Sequence, residues 1–516
     1  MNILRTKSIE QSIKDTEEPE FQLRKELGPL DLIVFGIGVI VGTGIFVLTG
    51  VAAATRAGPA IALSFVVSGI ACALAALCYA EFASSVPVAG SAYTFSYASL
   101  GEFIAWIIGW DLILEFLVGA SAVSIGWSKY FGQILQSLGI PLPAAITGGV
   151  SGPLGLTFNL PAAFIALVLT AVLVTGIRMS SRFNLIVTTI KISVVLFFIV
   201  FGLFFIKLAY WTPFIPPATN VPASAGGSIW NTPLLQILLG IKEQAFGFPG
   251  IIAGAATVFF AYIGFDIVAT TAEETRRPQR DMPIGILGSL AICTILYMAV
   301  SLVLTGIVPY KQLNTAAPMA TAFAAIGQGW AAALVSVGAI CGLTAVIMIL
   351  MLGQSRVFFA MSRDNLLPPW FARVHPRFGT PYRISIVTGI IVAIIATFTP
   401  IDAVADLVNI GTLLAFVLVS LGVIVLRRTQ PNMRRAFRAP LVPVIPILAA
   451  LTCLYLMVSL PFITWIRFVI WLLIGITLYF VYGMHHSQLG RRILEEEKNI
   501  SAEEVAEESQ KPRRIG

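Results

Sequence analysis

Twelve runs of predominantly apolar residues follow one another along this chain, each about the 20 residues that a helix needs to cross a bilayer. They cover roughly residues 29–53, 59–81, 101–129, 159–178, 183–206, 251–272, 283–307, 331–360, 383–399, 403–426, 440–460 and 463–484. Backbone amides inside hydrocarbon must find partners within the protein, and runs of this length without strict alternation do so only as helices. The expectation is an all-α integral membrane protein with 12 transmembrane helices. Composition agrees, because 57% of the 516 residues are hydrophobic and 11% charged, against roughly 25% charged in a soluble protein. A soluble single-core enzyme is excluded. The net charge of +7 is no nucleic-acid footprint either, since Lys and Arg in a membrane protein first report orientation.

Of the 33 Lys and Arg residues, 26 fall in the two tails and the connections on their side. Six fall opposite, Arg56, Lys129, Lys207, Lys242, Lys311 and Arg467. The positive-inside rule therefore predicts both termini in the cytoplasm of a multi-pass cell-membrane protein, with the lipid bilayer as its surroundings. Residues 1–28 carry Glu10, Asp15, Glu17, Glu18 and Glu20 and lack the apolar core of a secretory signal, so they read as a cytoplasmic arm. Residues 487–516, with Glu495, Glu496, Glu497, Glu503, Glu504, Glu507 and Glu508, read as a charged cytoplasmic tail. The outer segment 207–250 contains Pro213, Pro216, Pro217 and Pro222, and reads as a surface loop with a short amphipathic helix at 234–246. Cys72, Cys78, Cys293, Cys341 and Cys453 lie in apolar runs without C-x-x-C spacing, which predicts buried inert thiols rather than disulfides or a metal site. His375, His485 and His486 sit in connections or at a span end, leaving no imidazole for chemistry inside the membrane.

No G-x-x-x-x-G-K-[ST] occurs, so the chain has no phosphate-cradling loop of its own. Gly36-x-Gly38-x-x-x-Gly42 misses the dinucleotide fingerprint by one residue and lies in an apolar span. At membrane depth those glycines have another use. Each costs about 1 kcal/mol of helix stability relative to alanine, and Gly42, Thr43 and Gly44 fall near mid-span, where the first helix is easiest to interrupt. Freed amides at the start of a second half-helix attract a carboxylate, whereas the alternative is a small-residue face for close helix packing. Span six repeats the pattern, with Gly254, Thr257, Phe260, Ala261, Ile263, Gly264 and Asp266 around mid-depth. Interruptions in corresponding positions of two halves point to a transporter site at the bilayer midplane. Carbonyls of the first half-helices would then hold an ammonium and amides of the second a carboxylate, which suits a zwitterionic amino acid.

Ionisable residues inside spans are functional candidates because each costs perhaps 2.5–3.5 kcal/mol at a helix centre. Lys191 lies eight residues past Phe183, about 12 Å along the axis, so snorkelling is strained. Burial disfavours the charged form of an amine, and Lys191 reads as a proton carrier or cation surrogate, with an inert ion pair as the alternative. Asp111 and Glu115 share one face of span three. Glu115 is placed either to receive a substrate amine or to pair internally with a lysine or tyrosine. Asp266 lies in the second half of span six, near the cytoplasmic side, where pairing with a basic residue or gating stands beside proton handling, and Glu81, Glu273 and Glu274 at span ends are solvated or paired with Arg276 or Arg280. Asp402 and Asp406 read as a solvated outer end of span ten.

The segments GIGVIVGTGIF at 36–46, FFAYIGFD at 259–266, RPQRDMPIGI at 277–286, SRDNLLP at 362–368 and FRAPLVP at 437–443 together resemble the amino acid-polyamine-organocation permeases, in particular their bacterial cationic amino acid transporter branch. The resemblance spans about residues 24–485. It implies a five-plus-five inverted repeat of the LeuT type, with repeats at 29–206 and 251–426 and two additional helices at 427–486. It also implies that the substrate carboxylate meets Gly42, Thr43 and Gly44, that the ammonium meets carbonyls around Ile40, Phe260 and Ile263 beside Ala261, and that Phe260 covers the site. Lys191 matches a proton-coupling lysine, and Glu115 a site-lining acid. The function expected is secondary import of L-amino acids, cationic or small neutral, by alternating access with a proton as coupling ion and no other cofactor. An exchanger or uniporter of the same fold and a membrane amino-acid sensor remain as alternatives.

Overall fold

The computed structural model describes residues 5–6, 27–86, 92–148, 157–176, 181–220, 229–240, 244–373, 375, 378, 380–433 and 435–494. Glu10 to Glu20 of the arm, Lys242, the side chain of Glu273 and the acidic run of the tail lie outside the described residues.

Among the described residues the chain is an all-α bundle in twelve spans, as its apolar runs require. Span one is Pro29–Ile40 followed, after a break, by helical turns from Gly44 to Ala57. Spans two to five are Ile61–Ser85, Glu102–Ser137, Leu160–Val174 and Ser181–Leu203. Span six runs as Gly247–Val258, Phe259–Tyr262, Phe265–Val268 and Ala269–Glu274. Spans seven to twelve are Pro278–Ile307, Gly329–Arg363, Tyr382–Phe398, Ile401–Thr429, Val444–Val458 and Phe462–Leu478. The two spans that break, one and six, stand five apart in order, as the first members of a five-plus-five repeat. Spans one, two and seven pack together with six, while span three runs between spans eight and ten. Phe164, Ile186, Ile394, Leu451 and Leu473 are exposed on spans four, five, nine, eleven and twelve, as apolar side chains facing a bilayer are.

Several local expectations change. The helix read at 234–246 is the single turn Leu234–Leu238, and Gln244–Ala245 instead pairs as a strand with Thr219–Asn220. Pro233 starts that turn where the loop bonds to the connection between spans eleven and twelve: Leu234 N–H donates to Leu460 O and Phe462 N–H to Thr232 O. The short helices Ala92–Ser99 and Pro318–Ala325 fall between spans, where a length criterion overlooks them. Four cysteines are buried, but Cys341 is exposed on the outside of span eight. Glu81 does not pair with Arg276 or Arg280. It takes Arg427 at 2.7 Å and Arg435 at 3.5 Å and accepts Ala439 N–H, tying span two to the end of span ten. Glu274 pairs with Arg356 at 2.7 Å.

Candidate functional site

Span one stops where its glycines cluster. Val41 leaves the helical region with ψ 88°, while its N–H still donates to Ile37 O. The next helical hydrogen bond across the break is Phe46 N–H to Gly42 O at 3.3 Å. Among the described residues, the amides of Gly42, Thr43 and Gly44 have no partner, and the fully buried hydroxyl of Thr43 has none either. Buried donors without partners are costly in a protein interior, so this cluster is ready for an acceptor such as a carboxylate.

Span six breaks beside it. Ile263 is extended at ψ 132° and Gly264 has φ +123°, a conformation that glycine adopts at no steric cost. A Cβ at Gly264 would also lie 2.6 Å from Val39 Cγ1, and one at Gly44 only 2.3 Å from Ala261 Cα. The two breaks therefore touch through backbone. Ile40, Gly44, Ala261 and Ile263 come together there, with Phe260 one turn earlier on span six, and all are buried. Gly42 faces Val346 of span eight, and Thr43 faces Gly126 of span three.

Lys191 is wholly buried and does not snorkel. Its ammonium donates to Gly38 O at 2.7 Å, and its stem lies against Gly342 of span eight, where a Cβ would be 2.7 Å from Cε. Among the described residues it makes no ion pair, so the inert-pair alternative loses its partner. The carbonyl of Ile40 accepts the Tyr297 hydroxyl at 2.7 Å and keeps a second lone pair for another donor.

Glu115 belongs to a second group. It lies eleven residues, about 16 Å along the axis, from Gly126 on the same helix, so span three does not bring it to the Thr43 contact. It sits within electrostatic reach of Asp266 and Asp111. The Thr412 side chain of span ten lies beside the Glu115 carboxylate, while neither carboxylate oxygen of Asp111 has a hydrogen-bond partner among the described residues. Asp266 accepts Gly264 N–H at 3.2 Å, tying its carboxylate to the span-six break. The Asp111 carboxylate presses on span ten, where a Cβ at Gly411 would be 2.6 Å away.

Three polar residues escaped the sequence analysis. Tyr297 caps span one, Asn409 donates to Ala256 O at 2.8 Å and so ties span ten to span six, and Gln354 is buried with both amide atoms unpartnered. Their signal was present, as amides and a phenol deep in apolar runs. Among the described residues no three His, Cys, Asp or Glu side chains gather as a metal site.

Residues 27–483 match the amino acid permease family. The chain is 48% identical to the methylthioribose transporter of Bacillus subtilis (strain 168), over 91% of this chain and 95% of that one. It is also 48% identical to the branched-chain amino acid permease BcaP of the same organism, over 95% and 99%. To the vacuolar cationic amino acid transporter 4 of Arabidopsis thaliana it is 37% identical, over 84% and 68%. With two touching helix breaks in a twelve-span bundle and a family match along nearly its whole length, the chain belongs to the amino acid permease family and is a transporter rather than an enzyme.

Proposed function

We propose that this protein is a secondary transporter of the cell membrane that imports L-amino acids with a proton by alternating access, both termini facing the cytoplasm. The observation that carries this reading is the contact of the two breaks. The partnerless amides of Gly42, Thr43 and Gly44 supply donors for a carboxylate, and the carbonyls around Ile40, Phe260 and Ile263 supply acceptors for an ammonium. Phe260, one turn outward of Ile263, is the side chain that would close over the headgroup.

Lys191 supports the proton role. Its bond to Gly38 O joins span five to the first half of span one, so loss of the proton weakens the hold on a segment that alternating access must move. Asp266, held by the Gly264 amide, is the gating candidate on span six.

The lining near the break is apolar, with Ile40, Phe260, Ile263 and Val346. It favours small or branched neutral side chains, in keeping with the branched-chain permease among the relatives. Cationic side chains, suggested by the cationic transporters among the relatives, would have to reach toward Glu115.

Uptake into proteoliposomes tests the reading, with L-alanine, L-valine, L-leucine, L-arginine and methylthioribose each measured with and without an inward proton gradient and in counterflow. Accumulation of amino acids only with the gradient is the expected result. Counterflow without gradient-driven accumulation would make the protein an exchanger, and uptake of methylthioribose alone would overturn the amino-acid assignment. Lys191→Ala is expected to lose gradient-driven accumulation; if it accumulates like the parent, the lysine has no part in coupling.

A further inference from the structure

The connection between spans five and six turns apolar side chains outward near its end. Ile229, Trp230, Leu238 and Leu239 are exposed in residues 229–240, and so is Phe248 in the first turn of span six. Apolar side chains presented in this number are unfavourable in water, whereas Trp, Phe and Leu settle at the boundary between headgroups and acyl chains. Backbone at that depth must bring its own hydrogen-bond partners, and here it does. Leu234 N–H donates to Leu460 O, Phe462 N–H to Thr232 O and Ile463 N–H to Trp230 O. The amides of Gln236, Ile237, Leu239 and Gly240 close on the carbonyls of Pro233, Leu235 and Ile237. The segment is thereby fixed to the connection between spans eleven and twelve, on the side that carries Arg56 and Arg467.

A cavity of about 170 Å³ lies between this segment and the two spans beside it. Leu235 and Leu239 line it from the turn, Phe248 and Ile252 from span six, and Tyr455 and Ser459 from span eleven. Its size is below the roughly 300–1,000 Å³ of sites that enclose a whole small molecule and suits the end of a chain. Polar side chains on its wall are already engaged with the protein. Gln236 Oε1 accepts Gln244 N–H at 3.3 Å, Gln244 Nε2 donates to Asn220 Oδ1, and the Ser459 hydroxyl donates to Tyr455 O at 2.8 Å. Such a cavity offers water few partners. Tyr455 and Ser459 continue the helix face on which Leu448 and Leu451 are exposed, so the cavity is continuous with the bilayer-facing surface of span eleven.

We propose that this cavity takes one acyl chain of a phospholipid in the outer leaflet, with residues 229–240 embedded in the interface of that leaflet. The chain then stands between the outer half of span six and span eleven. Pro233, Ala253 and Ser459 line both this cavity and a larger one of about 710 Å³ that reaches Arg56 and Asp402, so the lipid backs a wall that the two cavities share. The site is independent of which substrate the protein carries.

The full chain in vesicles of phosphatidylglycerol and phosphatidylethanolamine tests this, with graded amounts of a phosphatidylglycerol that carries a diazirine near the end of one acyl chain. After illumination, proteolysis and mass spectrometry map the adducts. Adducts on Leu239, Phe248, Ile252 and Tyr455 are expected to saturate as the labelled lipid is raised, while those on Phe164 and Leu473, exposed on spans four and twelve, rise in proportion to it. Ile252→Trp fills the cavity and should lower the adducts on Tyr455 about fivefold, with those on Phe164 unchanged. Ser459→Leu, from the opposite wall, takes its place if Ile252→Trp lowers the unfolding temperature. Adducts that rise in proportion at every position mean an annular lipid only and overturn the site, as do adducts on Tyr455 that are indifferent to the filled cavity. Stronger labelling by a diazirine fatty acid than by the phospholipid at equal mole fraction overturns the phospholipid assignment.

Discussion

Gly42 and Gly44 lack a side chain for different reasons, although they are two residues apart in one break. A Cβ at Gly42 would meet Val346 at an ordinary 3.6 Å, while one at Gly44 would be 2.3 Å from the backbone of Ala261. Gly42→Ala is therefore expected to keep the fold, with thermal unfolding in detergent within about 0.5 kcal/mol of the parent. Gly44→Ala must push the two breaks apart, at about 1–3 kcal/mol for overpacking, and should abolish counterflow. Equal behaviour of the two variants would show that the breaks do not touch. Tyr297→Phe probes the same knot from span seven: losing its hydrogen bond to Ile40 O should cost about 1 kcal/mol and is read by the same unfolding measurement. The glycines and Lys191 could be picked out from the sequence because each is costly in an apolar helix. Which atoms they meet could not, since Gly38 and Lys191 are 153 residues apart.

At the scale of elements, two ionic clamps hold helix ends together. Glu81 of span two is nearly buried between Arg427 and Arg435, with the Ala439 amide as a further donor. Removing one partner of a buried pair costs about 3–5 kcal/mol. With Arg427 at 27% exposure, Glu81→Gln should lose less, about 2 kcal/mol. The second clamp is centred on Arg5 and Glu102. Arg5 forms two hydrogen bonds to Glu102 at the start of span three, at 2.9 and 2.7 Å, and Glu102 also accepts from Tyr97, Tyr479 and Ser487. Burial works most strongly against the Arg5 charge, but the Glu102 hydrogen bonds and the Glu102 charge, with smaller contributions from Tyr479 and Tyr97, together outweigh it, and its pKa is raised from the ordinary value. Arg5→Gln alone leaves a buried carboxylate short of its cation and should lower the unfolding temperature, whereas adding Glu102→Gln should restore part of the loss. A double variant no better than the single would show that the pair contributes only packing. Neither clamp could be assigned from sequence, because charges at helix ends offer many partners and only the fold chooses among them.

For the whole molecule, the distribution of Lys and Arg predicts orientation without reference to any contact. A protease-cleavable tag placed at either end should be cut in inside-out vesicles and protected in right-side-out ones. Cleavage in the opposite set would reverse the assignment of inner and outer faces. Arg56 and Arg467 count among the six basic residues of the outer side, and both line a cavity of about 710 Å³ together with Asp402 and Asp406 of span ten.

Twelve helices, their order and the two weak points in spans one and six follow from the sequence, because a bilayer removes water from the backbone and leaves the helix as the sole way to pair it over a 20-residue run. Glycine and charge within such runs are conspicuous for the same reason. Tertiary structure alone decided that the breaks meet through Gly44 and Ala261, that Lys191 reaches Gly38, and that Asp266 joins the Asp111 and Glu115 face of span three, about 16 Å along that helix from the Thr43 contact. It also placed Asp402, exposed in the first turn of span ten, and half-buried Asp406 on the wall of one cavity. Those outcomes depend on helix rotation and close packing between segments far apart in the chain, and periodicity within one helix carries no record of which neighbour its face will find.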